Sequence, residues 1–200
     1  MSADTPSALP RLAEYPIDHE FLDRWSPRAL TGQDVPQEDL MALFEAARWA
    51  PSNANSQPWR FLYARRTQPA WPLFRDLLDA GNHKWADKAS ALIVIVSAEK
   101  NESSGKPLYT HSYDTGAAWM SFALEGSHKG LAVHGMDGFD HEKARRDLRI
   151  PEGFRVEAMA AVVYPDSPDV LPDDLRKREK PSLRKRLDEF VFAGGWPEHC

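Results

Sequence analysis

Ala91-Leu92-Ile93-Val94-Ile95-Val96-Ser97 is apolar at every position but the last. With no polar residue alternating through it, the run reads as a strand buried on both faces. Upstream, Trp59 to Tyr63 reads as a shorter strand, and the spacing predicts a helix from about Trp71 to Ala80 between the two. Farther upstream, Pro36 opens a helix. Glu38 and Asp39 complement its dipole, Leu40, Leu43, Phe44 and Ala47 recur along one face, and Pro51 stops it. Downstream, Tyr109 to Lys129 carries Tyr113, Ala117, Met120, Phe122, Ala123 and Leu124 at helical spacing, with Gly126 and Gly130 closing the longest helix. His141 to Leu148 reads as a short charged helix, and Val156 to Tyr164 as an apolar strand whose alanines allow close packing. Strands and helices in this irregular order predict an α+β sandwich, not a doubly wound sheet. Residues 1–17, polar and proline-punctuated, read as a loose arm, and 18–200 as one domain.

Composition narrows the function. The chain has 200 residues, 42% of them hydrophobic, enough for one domain with a substantial core. A formal charge of -5 argues against nucleic acid as the main partner, because neutralising phosphates needs a basic excess. Cys200 is the lone cysteine, so no disulfide and no zinc or iron–sulfur site can be built within the chain, which suits a reducing cytoplasm. The longest apolar stretch, Ala89 to Ala98, is too short to span a bilayer, and the first residues lack a secretory pattern, so neither secretion nor membrane insertion is expected. No metal site is expected either, since the histidines are scattered. Dinucleotide fingerprint, Walker loop, H-E-x-x-H and nucleophile elbow are all absent from the sequence.

Four features carry chemistry. Arg24-Trp25-Ser26-Pro27-Arg28 puts two guanidiniums and a hydroxyl within five residues, a set able to hold a phosphomonoester; taken alone it reads better as a solvated turn. Ala50-Pro51-Ser52-Asn53-Ala54-Asn55-Ser56-Gln57-Pro58-Trp59 packs amides and hydroxyls between prolines that fix the backbone. Such a loop can face a heteroaromatic ring, or simply stop a helix. His134-Gly135-Met136-Asp137-Gly138-Phe139-Asp140 reads locally as a turn, with glycines that let backbone N–H groups approach a ligand. Arg176 to Arg186 holds seven basic residues against one glutamate, and a charge run is usually a solvated face.

Together and in this order, the four resemble the nitroreductase family of FMN proteins over about Asp18 to Trp196. The first cluster resembles the family's R-x-S-x-R signature, which implies that Arg24 and Arg28 hold the FMN phosphate and ribityl chain, with Trp25 and Ser26 lining the same site. The second resembles its A-P-S-x-x-N-x-Q-P-W loop, which implies that Pro51, Ser52, Asn53 and Asn55 contact the flavin of the other subunit, with Gln57 supporting the loop. Asn82 stands where the family often puts an amide near the pyrimidine end of the ring. Met136 to Asp140 resembles the turn whose backbone lies close to flavin N5, a place that falls to Asp137 and Gly138. Arg184-Lys185-Arg186-Leu187-Asp188-Glu189-Phe190-Val191 resembles the R-K-P-L-x-E-x-V tail, whose first arginine completes the phosphate site. Arg184 takes that role, with Arg186 the alternative because it replaces the usual proline.

The resemblance implies a three-layer sandwich with a mostly antiparallel central sheet flanked by helices and a C-terminal tail swapped onto the partner. It further implies a homodimer with FMN at the interface, and NAD(P)H as co-substrate in a ping-pong transfer of hydride through flavin N5 to a small acceptor. No side chain need act as nucleophile or base, because the flavin carries the chemistry. Family relatives that use the flavin for reductive dehalogenation or flavin cleavage are the nearest alternative. A non-enzymatic binder of acidic polymers through Arg176 to Arg186 is the alternative from a different class, at odds with the net charge.

Overall fold

The structure, a computed structural model, describes residues 11–197; Cys200 lies outside them. In chain order the elements are α1 (Glu20–Asp23), α2 (Gln37–Arg48), β1 (Trp59–Arg65), α3 (Trp71–Arg75), α4 (Ala80–Ala86), β2 (Ala91–Ala98), α5 (His111–His128), β3 (Ala132–Met136), α6 (His141–Asp147), β4 (Phe154–Val163) and α7 (Asp173–Arg176). The apolar run is β2, buried at all its positions. It lies inside a four-stranded sheet of order β1-β2-β4-β3 in which every pairing is antiparallel.

Side chains alternate across a strand, so β2 supplies two cores at once. Leu92, Val94 and Val96 pack with Trp71, Phe74, Leu77 and Trp85 from α3 and α4 and the segment joining them. Ala91, Ile93 and Ile95 face the other way, onto Leu40, Leu43 and Ala47 of α2 and Phe122 and Ala123 of α5. Helices therefore cover both faces, giving the α+β three-layer sandwich that the sequence predicts.

Three local readings change. The helix expected from Trp71 to Ala80 is two helices, because residues 77–79 turn aside to meet another loop. Leu77 O accepts from Asp140 N at 2.9 Å, Asp79 N donates to Gly138 O at 3.1 Å, and Asp79 then caps α4 by accepting from Asn82 N. Gly126 lies inside α5 instead of closing it; an added Cβ would collide with Val133, so glycine is what lets the helix press onto β3. Gly130, at φ +68, makes the exit. Finally, His134 to Met136, read as part of a turn, forms β3 with Ala132 and Val133. A histidine and a glycine masked the apolar pattern of an edge strand buried at Ala132, Val133 and Met136.

Beyond α7 the chain forms no further strand up to Pro197, only a 3-10 turn at Leu187–Glu189. Phe190, Val191 and Trp196 stand 55%, 60% and 82% exposed. Among the described residues no helix is long and apolar enough to cross a membrane.

Candidate functional site

The first cluster follows directly from α1, which ends as Arg24 takes an extended conformation. Its main chain is held from several sides. Arg11 Nη1 donates to Leu22 O at 2.7 Å and to Arg24 O at 2.8 Å, while Arg11 Nε reaches Ser182 O at 3.2 Å. Glu179 Oε1 accepts from Arg28 N at 2.6 Å and Ala29 N at 2.8 Å. His134 Nδ1 lies 2.9 Å from Pro27 O, so the imidazole carries its proton there and donates it. With the main chain fixed this way, the guanidiniums of Arg24 and Arg28 form no hydrogen bond or ion pair among the described residues. Trp25, Ser26 and Arg28 are half-buried.

Like charges meet at this point. Burial, then the charge of Arg184, holds the Arg24 guanidinium below its ordinary value. Arg11 is lowered too, by burial first, then Arg184 and Arg24. Asp23 offsets this in part at Arg11, and Glu179 is engaged by the amides of Arg28 and Ala29, so the remaining excess of cations favours an incoming anion. Of the two tail arginines, Arg184 is the one whose charge acts on Arg24. Arg186 is paired with Asp188 at 3.2 Å.

His134 ties this segment to the core. It is 8% exposed and packs against Trp85 with ring centroids 4.4 Å apart and the rings tilted by 39°. Burial above all, and then the nearby Arg28 and Arg24, lowers its pKa from 6.5 to about 4. Between those values the unfolded chain binds a proton that the folded chain refuses. Stability conferred by the neutral ring is therefore complete above pH 6.5 and lost as pH falls toward 4, by about 3 kcal/mol in all. Urea midpoints at pH 7 and pH 5 should differ in the wild type, and the difference should shrink in His134→Gln. An equal pH response in both proteins would rule the histidine out as its source.

The Asn-rich loop is strained. Ala54, Asn55 and Gln57 take positive φ of 48, 53 and 46° without being glycine, a conformation that persists only where the surroundings hold it. Those surroundings include Ser52 Oγ, which accepts from Gln57 N at 3.0 Å, and buried Asp114 of α5, whose Oδ2 accepts from Asn53 N at 3.0 Å. Pro51, Asn53 and Asn55 are exposed and Ser52 half-buried. No hydrogen bond or ion pair joins this loop to the arginine cluster among the described residues.

The turn at Asp137 and Gly138 is set by α4. Asn82 Nδ2 donates to Gly138 O at 2.9 Å, and Asn82 Oδ1 accepts from Trp85 Nε1 at 3.2 Å. The amide is thus engaged at both ends within the chain. A Cβ on Gly138 would run into Asp79 and Asn82, so only glycine permits this contact. Neither Asp137 N–H nor Gly138 N–H meets an acceptor among the described residues, and both are free to donate.

Sequence reasoning missed Arg11, Asp114 and Glu179. Each acts on backbone far along the chain, by 171 residues for Arg11 to Ser182, 61 for Asp114 and 151 for Glu179 to Arg28, and no local pattern marks such a contact.

Comparison with known proteins supplies a family context. The profile of the Nitroreductase family matches residues 22–80. A solved structure described as an oxidoreductase containing FMN is 44% identical, with 96% of this chain and 99% of that one covered and a TM-score of 0.91. A protein of Rhodopseudomonas palustris, provisionally named NADH dehydrogenase/NAD(P)H nitroreductase, is 24% identical over 180 residues, 80% of this chain and 90% of its own. Iodotyrosine deiodinase of Thermotoga neapolitana is 25% identical over 166 residues, 72% of this chain and 86% of its own.

Proposed function

The chain belongs to the nitroreductase family, and from that premise we propose that it is an FMN-dependent oxidoreductase carrying hydride from NAD(P)H to a small acceptor. The observation that carries the reading is the convergence of Arg24 and Arg184, with Arg28 beside them, where neither the Arg24 nor the Arg28 guanidinium is paired with a carboxylate among the described residues. Guanidinium forks match a phosphomonoester, and partial burial strengthens such a pair. Arg24, Arg28 and Arg184 would hold the phosphate, with Ser26 and Trp25 beside it, while Arg186 stays on Asp188. The free N–H groups of Asp137 and Gly138 would meet the redox-active edge of the ring, and Asn82 serves by fixing that turn.

Pro51, Ser52, Asn53 and Asn55 would reach the flavin of a second subunit, which makes the active species a homodimer with its cofactor at the interface. When bound there, FMN would supply the redox chemistry of a ping-pong hydride transfer between NAD(P)H and the acceptor, both of which would use one slot in turn. The chain's own share is binding, orientation and electrostatics, and a reducing cytoplasm stocked with NAD(P)H suits it.

The deiodinase likeness supports reductive dehalogenation as a second reading. The reading as a binder of acidic polymers loses support from pairing within its basic run, where Arg176 meets Asp173 and Arg186 meets Asp188. An absorbance spectrum of the purified protein, before and after anaerobic addition of NADH or NADPH, tests the main proposal. Flavin bands that bleach support it; a colourless protein that ignores added FMN overturns it. Iodide release from an iodotyrosine, with no turnover of nitroaromatics or quinones, would favour the second reading.

A further inference from the structure

We propose that Arg11 is a positioning residue that clamps the two ends of the chain into one phosphate site and thereby sets the affinity for the phosphate of FMN. The inference rests on the flavin reading above. Arg11 precedes the family's N-terminal signature, and its guanidinium joins two distant segments through three carbonyls: Leu22 O and Arg24 O on one side, Ser182 O on the other. Ser182 in turn accepts from Arg184, whose Nη1 meets Ser182 Oγ at 2.8 Å and Ser182 O at 3.1 Å. One side chain thus fixes the carbonyl of Arg24 and the carbonyl on which Arg184 rests.

The arrangement is costly without an anion. Arg11, Arg24 and Arg184 repel one another, and Arg11 and Arg184 line a cavity of about 350 Å³ together with Phe21, Leu22, Lys185 and Arg186. Glu14 also lines this cavity, but its Oε1 accepts from Leu187 N. A phosphate dianion turns the mutual repulsion into shared attraction, so the clamp holds the site open in its absence and is reinforced when it binds. Only a planar fork with donors on several nitrogens can bridge the three carbonyls; a lysine keeps the charge but not the span.

The test compares FMN with riboflavin, which lacks the phosphate, by fluorescence titration of the deflavinated dimer in wild type, Arg11→Ala and Arg11→Lys. The expected result is FMN affinity down about tenfold in both variants, the equivalent of ~1.4 kcal/mol, with riboflavin affinity within about twofold of wild type. Thermal midpoints of the apo proteins, and the rise that FMN gives each, separate this from misfolding: the apo midpoint should hold while the FMN-induced rise shrinks. Equal weakening of FMN and riboflavin, unchanged FMN affinity in Arg11→Ala, or full rescue by Arg11→Lys overturns the clamp. A wild-type chain that binds neither flavin overturns the flavin reading itself, a distinct outcome.

Discussion

Arg24→Ala should purify without colour and bind added FMN about 100-fold more weakly than wild type. A hydrogen bond to a charged group contributes about 1.5–3 kcal/mol, and a partly buried arginine fork on phosphate sits at the upper end of that range. The half-buried Arg24 side chain makes no hydrogen bond or ion pair among the described residues, so its loss should leave the apo fold intact. Removing a cation from beside Arg11 and Arg184 should even raise the apo melting temperature slightly. Equilibrium dialysis of FMN and a calorimetric scan of the apo protein check both halves. Wild-type FMN affinity in the variant would mean that the phosphate binds elsewhere.

Truncation after Asp188 should have the second large effect, giving a protein that dissociates to monomers and loses its flavin. The deleted segment carries Phe190, Val191 and Trp196, more than half exposed on the single chain and so available to a partner. Burying an apolar side chain contributes about 1.5–3 kcal/mol, so losing several weakens association by at least about 1,000-fold. Sedimentation velocity combined with flavin absorbance reads subunit state and cofactor in one run. A flavin-loaded dimer that survives the truncation would refute the swapped tail.

Much of the framework is legible in the sequence because its signals are local. The run at Ala91 has no polar residue to break it, and hydrophobic spacing marks α2 and α5 to within a few residues. The Asn-rich loop announces itself by its prolines, although its left-handed backbone at Ala54, Asn55 and Gln57 does not, since none of the three is glycine. Legibility ends where a segment is shaped by something distant. The break between α3 and α4 comes from hydrogen bonds to the 138–140 turn, and a helical pattern spanning it gives no warning. β3 is hidden because an edge strand with a histidine and a glycine lacks apolar density. In the candidate site the arginines were visible as a motif, but what holds them was not: Arg11, Glu179 and His134 act through main-chain carbonyls and amides that carry no sequence mark.

The joining of Arg11 to Ser182 spans 171 residues. A ribosome releases a chain from its N-terminus onward, and domains fold as units when their last required segment emerges. β2 must also wait for β4, as the contact of Ser97 with Glu157 bridges 60 residues. With Arg184 holding the phosphate as proposed, the anion site is completed only once that residue has been made. A chain that stalls or terminates before Arg184 is then expected to be flavin-free even when its sheet has formed.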